Sequence, residues 1–184
     1  TMGKAAHSLY EKYRYVLASH FGSLQHKRLK DLWYASPEPG KGVLIDEVPG
    51  ADDVLLFSDC TSSAQLIDRA GKKLYGWQFP FYQAFPEPKQ ILDAVPEEQI
   101  YWRNVFVAPD GTLTAIYEGL NQSPYGGGLV QVDRDSHLKW ATPINANHDL
   151  TFLPDGTILV LYHEYVEGRI EDHLAYVDGR TGKV

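Results

Sequence analysis

The chain has 184 residues, 43% of them apolar and 22% charged, which suits one buried core and excludes a disordered polypeptide. Its formal net charge of −7 argues against a nucleic-acid partner, because neutralising phosphates takes a basic face. A single cysteine, Cys60, excludes an intrachain disulfide and a cysteine-cluster metal site.

No apolar run reaches the roughly 20 residues that a membrane-spanning helix needs. The sequence begins at Thr1 rather than Met. An export signal or membrane anchor is therefore expected upstream of residue 1.

Residues 1–41 read as an N-terminal helical segment and linker. Leu9, Tyr13, Val16, Leu17, Phe21 and Leu24 fall at helical spacing and form one apolar stripe. The stripe suits packing on the protein's own domain, or docking against a partner or membrane, with His26, Lys27, Arg28 and Lys30 as a weak basic flank. Ser36-Pro37-Glu38-Pro39-Gly40 then breaks the chain.

From residue 42 to 184 the pattern is β. Val54-Leu55-Leu56-Phe57, Ala64-Gln65-Leu66-Ile67 and Lys73-Leu74-Tyr75-Gly76-Trp77 are strand-like, with a turn at Arg69-Ala70-Gly71. Residues 80–99 hold Pro80, Pro86, Pro88 and Pro96, so they are expected to be a long surface loop and a candidate partner surface.

The remainder repeats itself. Val105 through Leu113 matches Leu150 through Ile158 at an offset of 45 (155 minus 110), with Asp110-Gly111 and Asp155-Gly156 as hairpin turns. The same offset carries Leu129-Val130-Gln131-Val132-Asp133 onto Leu174-Ala175-Tyr176-Val177-Asp178. Ile67, Asp68, Gly71 and Trp77 form a looser copy of Val132, Asp133 and Trp140. A period of roughly 40–50 residues with several short strands per unit is the mark of a β-propeller. About three four-stranded blades are visible, near 50–80, 102–145 and 147–184. A ring needs at least ~4. The expected fold is thus mainly β, a partial propeller preceded by a helix, completed by more chain or by a second chain.

Equivalent residues on the inner strands of a propeller converge on its channel. The offset sets Arg103 against His148, Asn104 against Asp149 and Tyr117 against Tyr162. A guanidinium presents a fork suited to sulfate, phosphate or carboxylate, and a histidine can act as nucleophile or base. Tyr101, Trp102, Tyr125 and Tyr162 are candidate walls for an aromatic ligand. Each has a structural alternative. His148 would be satisfied by backbone in a blade core, Arg103 would bridge blades, and Asp149 would accept from backbone amides. His163-Glu164 lacks the second histidine of a zinc-protease motif. Tyr125-Gly126-Gly127-Gly128 lacks the lysine of a phosphate loop and reads as a turn entering a strand at Leu129.

Ile100-Tyr101-Trp102-Arg103, Ala115-Ile116-Tyr117-Glu118-Gly119, Ser123-Pro124-Tyr125-Gly126-Gly127-Gly128-Leu129, Asp133 through Trp140, and Asn147-His148-Asp149-Leu150 together resemble the bacterial arylsulfotransferase-like propeller family over about residues 42–184. The resemblance implies an exported propeller, periplasmic or in the cell envelope. It also implies sulfuryl transfer from a phenolic sulfate ester to a phenol through a channel histidine, with no nucleotide cofactor. His148 and Arg103 would be the catalytic pair, with His148 as nucleophile or as sulfate holder. Asn104, Asn147, Asp149, Tyr117, Tyr125 and Tyr162 would line the site of a small aromatic or sulfate-bearing ligand. Relatives often carry two histidines where this chain has Asn147-His148. The competing expectation is a catalytically silent propeller that docks in a membrane-associated complex through residues 9–24 and 80–99.

Overall fold

A computed structural model describes residues 53–58, 60–91, 95–119, 126–167 and 169–184. The helix expected at 9–24, the linker at 36–40 and Tyr125 lie outside them. Three antiparallel sheets make up the rest. The first contains β1 (Leu55–Ser58), β2 (Ser63–Ile67) and β3 (Lys73–Gln78). The second contains β4 (Ile100–Val107), β5 (Leu113–Gly119), β6 (Gly126–Val132) and β7 (Leu138–Thr142). The third contains β8 (Ala146–Phe152), β9 (Thr157–Val166) and β10 (Arg169–Asp178). Every strand pairs with its neighbour in sequence, so each sheet is a meander.

The repeated turns close as their residues require. Gly111 and Gly156 sit at φ 84° and 85°, the left-handed region that glycine enters without a Cβ clash. Asp110 and Asp155 each accept the backbone N–H two residues on at 2.9 Å. Those N–H donors hold both carboxyls below the ordinary carboxylate pKa.

Strand alternation sends the two faces of the second sheet into two cores. Leu113, Ala115 and Tyr117 of β5 pack toward the first sheet, with Ala64, Trp77 and Trp102. Ile116 turns the other way, onto Ala146, Leu150, Ile158 and Val160 of the third sheet. Both faces of β5 and β6 are buried throughout. The three sheets therefore stack face to face, the second between the other two. Trp77 Nε1 ties the first pair by donating to the Gly111 carbonyl at 3.0 Å, and Trp140 Nε1 ties the second by donating to Gly179 at 3.2 Å.

Two expectations are corrected. Residues 80–91 and 95–99 are not surface throughout: Phe81, Phe85 and Val95 are core residues, and a short helix α1 (Phe81–Ala84) seats the first two. The prolines exclude a strand but leave the aromatic side chains free to pack, with Phe81 edge-on to Tyr117 at 5.3 Å. Glu97 fastens the segment by accepting the Phe81 and Tyr82 N–H groups at 2.6 and 3.2 Å. Nor are Gly126, Gly127 and Gly128 a turn; they begin β6. A Cβ at Gly126 would lie 2.4 Å from the Asn145 backbone, so glycine is what lets that chain cross the strand.

Candidate functional site

The first strands of the second and third sheets, β4 and β8, both break register at the repeat-equivalent position. In β4, Trp102 pairs with Tyr117 and Asn104 with Ile116, leaving Arg103 as the extra residue. In β8, Ala146 pairs with Tyr162 and Leu150 with Val160, so Asn147, His148 and Asp149 stand opposite Leu161 alone. Such bulges re-aim side chains and concentrate beside active sites. His148 takes up the excess with φ 55°, a left-handed conformation uncommon for a residue other than glycine.

Both bulges lead to Glu118. This β5 residue is 2% exposed and faces the third sheet. Its Oε1 accepts the His148 N–H at 2.9 Å, and its Oε2 accepts the Tyr101 hydroxyl at 2.9 Å. Arg103 Nε approaches Oε2 at 3.9 Å and His148 Nδ1 approaches Oε1 at 3.5 Å. A buried carboxylate needs such donors. Arg103 and His148 have half their side chains in solvent, 50% and 54%. Glu118 thus forms the floor of a site whose cationic and imidazole groups remain accessible. Burial, followed by the neighbouring Glu118 charge, raises the Tyr101 pKa above the usual phenol value, so its hydroxyl stays a donor.

Asn104 joins the same cluster from β4. Its Nδ2 donates to Asp149 Oδ1 at 2.7 Å and to the His148 carbonyl at 3.4 Å. Asp149 Oδ1 also accepts the Leu150 N–H at 2.8 Å. Asn104 and Asp149 pin the two bulges together through a side-chain pair, and the one backbone amide bonded to Asp149 is that of the next residue, Leu150, in its own strand.

Asn147 points instead into a buried pair with His163 of β9, Nδ2 to Nδ1 at 2.5 Å. An Asn147 amide donor leaves His163 Nδ1 as the acceptor and places the ring proton on Nε2. Burial lowers the His163 pKa, which keeps the ring neutral.

The tyrosines part company. Tyr117 is fully buried in the first core, its hydroxyl donating to the Phe79 carbonyl at 2.6 Å, with its pKa raised by burial. Tyr162 packs against the second core and meets His173 at 5.4 Å between ring centres. The structure therefore brings Arg103, Asn104, His148 and Asp149 together and leaves Tyr117 apart from them.

Sequence reasoning missed Glu118 as a site residue and Tyr101 as its hydrogen-bond donor. A signal was present. Glu118 and His163 share the offset of 45 (163 minus 118), and both stand at the end of an otherwise apolar strand run.

A groove of about 670 Å³ lined by Ala84, Phe85, Pro86, Glu87, Lys89 and Gln90, among others, shares no residue with the Glu118 cluster. Among the described residues no three His, Cys, Asp or Glu side chains are grouped as metal ligands, and no helix is long and apolar enough to cross a membrane. Compared with known proteins, the chain matches no family model and has no significant match among curated sequences.

Proposed function

We propose that the stacked sheets are part of a β-propeller and that Arg103, Glu118 and His148 form a sulfuryl-transfer site for phenolic sulfate esters. The observation that carries this reading is the convergence of two repeat-equivalent bulge residues on one buried carboxylate. The Glu118 carboxylate, 3.5 Å from Nδ1, favours the tautomer with its proton on Nδ1, which leaves the Nε2 lone pair as the nucleophile. Attack on the ester sulfur forms an N–S bond and breaks the S–O bond, and the aryl oxide leaves with its electron pair. Glu118 then balances the charge on the sulfated imidazolium, as the buried carboxylate of a hydrolase triad does. An acceptor phenol attacks the same sulfur, breaks the N–S bond and loses its proton to solvent or buffer base, which restores His148. Arg103 offers the guanidinium fork to the sulfuryl oxygens throughout.

The test is release of 4-nitrophenol from 4-nitrophenyl sulfate in the presence of phenol. The reading requires turnover that is lost in His148→Ala and strongly reduced in Arg103→Ala. No turnover by the wild-type chain, or turnover indifferent to both changes, would sink it.

One observation favours a second reading, a catalytically silent sheet stack acting as a docking subunit. Glu118 already compensates the charge of Arg103, so the cluster attracts an oxyanion less than two unopposed cations would. Phenyl sulfate binding separates the two readings, because a silent stack would show none.

A further inference from the structure

The repeat-equivalent residues Glu118 and His163 (163 minus 118 is 45) meet the same bulge from two different sheets. Glu118 of β5 accepts the His148 N–H at 2.9 Å. His163 of β9 is bonded to the residue before it, with Nδ1 2.5 Å from Asn147 Nδ2. The main-chain N–H of His163 also donates to the Asn145 carbonyl at 3.2 Å. One residue of β9 therefore holds the entry to the bulge by its backbone and the first bulge residue by its ring.

The bulge depends on such contacts. Between Ala146, which pairs with Tyr162, and Leu150, which pairs with Val160, no ladder pair holds β8. Side chains replace the missing bonds. Glu118 accepts the His148 N–H, and Asn104 donates to the His148 carbonyl at 3.4 Å. His163 anchors the Asn147 side chain. Asn147 and His163 are 4% and 2% exposed. Asn147 Oδ1 and His163 Nε2 have no hydrogen-bond partner among the described residues, so the bond between the two side chains is what orients both.

The residue after Asn147 is the strained one, His148 at φ 55°. A conformation of that kind persists only where its surroundings over-determine it. Burying an imidazole and an amide costs free energy that two aliphatic side chains would not. Their bond fixes the backbone one residue before the strain.

We propose that His163 is a positioning residue for His148: its ring grips Asn147, and that grip keeps the His148 N–H on Glu118 and the imidazole beside the carboxylate. Without the grip, the bulge relaxes from its left-handed residue and the ring leaves Glu118. The geometric part needs only the bulge, and its effect on turnover rests on the sulfuryl-transfer reading.

Three variants separate this role from a purely structural one. His163→Asn sets an amide oxygen near the place of Nδ1, so an acceptor for Asn147 remains. His163→Phe keeps a ring but removes the acceptor. His163→Phe with Asn147→Leu removes both partners and leaves neither polar group unmatched, which protects the fold should the single change unfold it. Hydrogen exchange read by NMR is the first measurement. The His148 amide should exchange slowly in the wild type and in His163→Asn. In the double variant it should exchange at least about 10-fold faster relative to the amides of the β5–β6 ladder. The second measurement is turnover of 4-nitrophenyl sulfate. The double variant should lower kcat roughly 10–100-fold with KM moved less than about threefold, and His163→Asn should keep kcat within about threefold of wild type. A His148 amide as protected in the double variant as in the wild type, or protection lost equally at every amide, overturns the proposal. So does an undiminished kcat in the double variant of an active wild type. A wild type without turnover contradicts sulfuryl transfer alone, and the exchange measurement still decides the role of His163.

Discussion

The main-chain N–H of His148 donates to the buried carboxylate of Glu118 at 2.9 Å, joining the bulge of the third sheet to the middle of the second. This bond places the imidazole over Glu118, with Nδ1 3.5 Å from the same oxygen. Removing the carboxylate therefore has two consequences. Glu118→Ala leaves the Tyr101 hydroxyl and the His148 N–H without their acceptor and should cost on the order of 3 kcal/mol in urea unfolding. Glu118→Gln keeps an acceptor but cannot stabilise an imidazolium, so turnover should fall on the order of 100-fold or more at saturating ester, with much less loss of stability.

His148 is held at φ 55°, where a side chain costs roughly 1 kcal/mol relative to glycine. His148→Gly relieves that strain and keeps the main-chain bond to Glu118. Its stability should equal or exceed that of His148→Ala by about 1 kcal/mol in equilibrium unfolding, with transfer absent in both. A glycine variant less stable than the alanine one would contradict the left-handed assignment.

Tyr117 provides the control for the site boundary. Tyr117→Phe leaves the Phe79 carbonyl without its donor, at a cost of about 1–2 kcal/mol. Turnover per folded molecule should be unchanged, because the side chain lies in the first core rather than beside Glu118. A large fall in kcat would return this tyrosine to the site.

Acid sensitivity should trace to His163. Its pKa lies below the ordinary 6.5 because of burial, with Asp172 and Glu118 opposing the shift and His148 adding to it. The unfolded chain therefore binds more protons than the folded one below about pH 6.5, and stability is lost as pH falls from there toward the folded pKa. Thermal unfolding followed from pH 7 to pH 5 should show this slope, and His163→Gln should flatten it. The turn carboxylates Asp110, Asp133, Asp155 and Asp178 are also lowered, by the backbone N–H groups they accept, and they add their own loss at more acid pH.

Much of the sheet order was legible because the repeat is carried by local rules. Asp-Gly turns and apolar runs placed β4, β5 and the beginning of β9, and the shared offset set Arg103 and His148 at equivalent points. The bulges themselves were not legible: nothing in Tyr101-Trp102-Arg103-Asn104 marks where a ladder slips by one residue. Phe81, Phe85 and Val95 were misread because proline spacing rules out a strand without ruling out burial. Glu118 escaped notice because a charge at a strand end is ordinarily solvated, and only the neighbouring sheet makes it a buried hub.

The most direct test of the central claim is intact-protein and peptide mass spectrometry after brief incubation with 4-nitrophenyl sulfate and no acceptor. The account predicts one added sulfo group, localised to His148, formed slowly in Arg103→Ala, absent in His148→Ala and discharged by phenol. An unmodified wild-type chain that releases no 4-nitrophenol, or a sulfo group on some other residue, would contradict it.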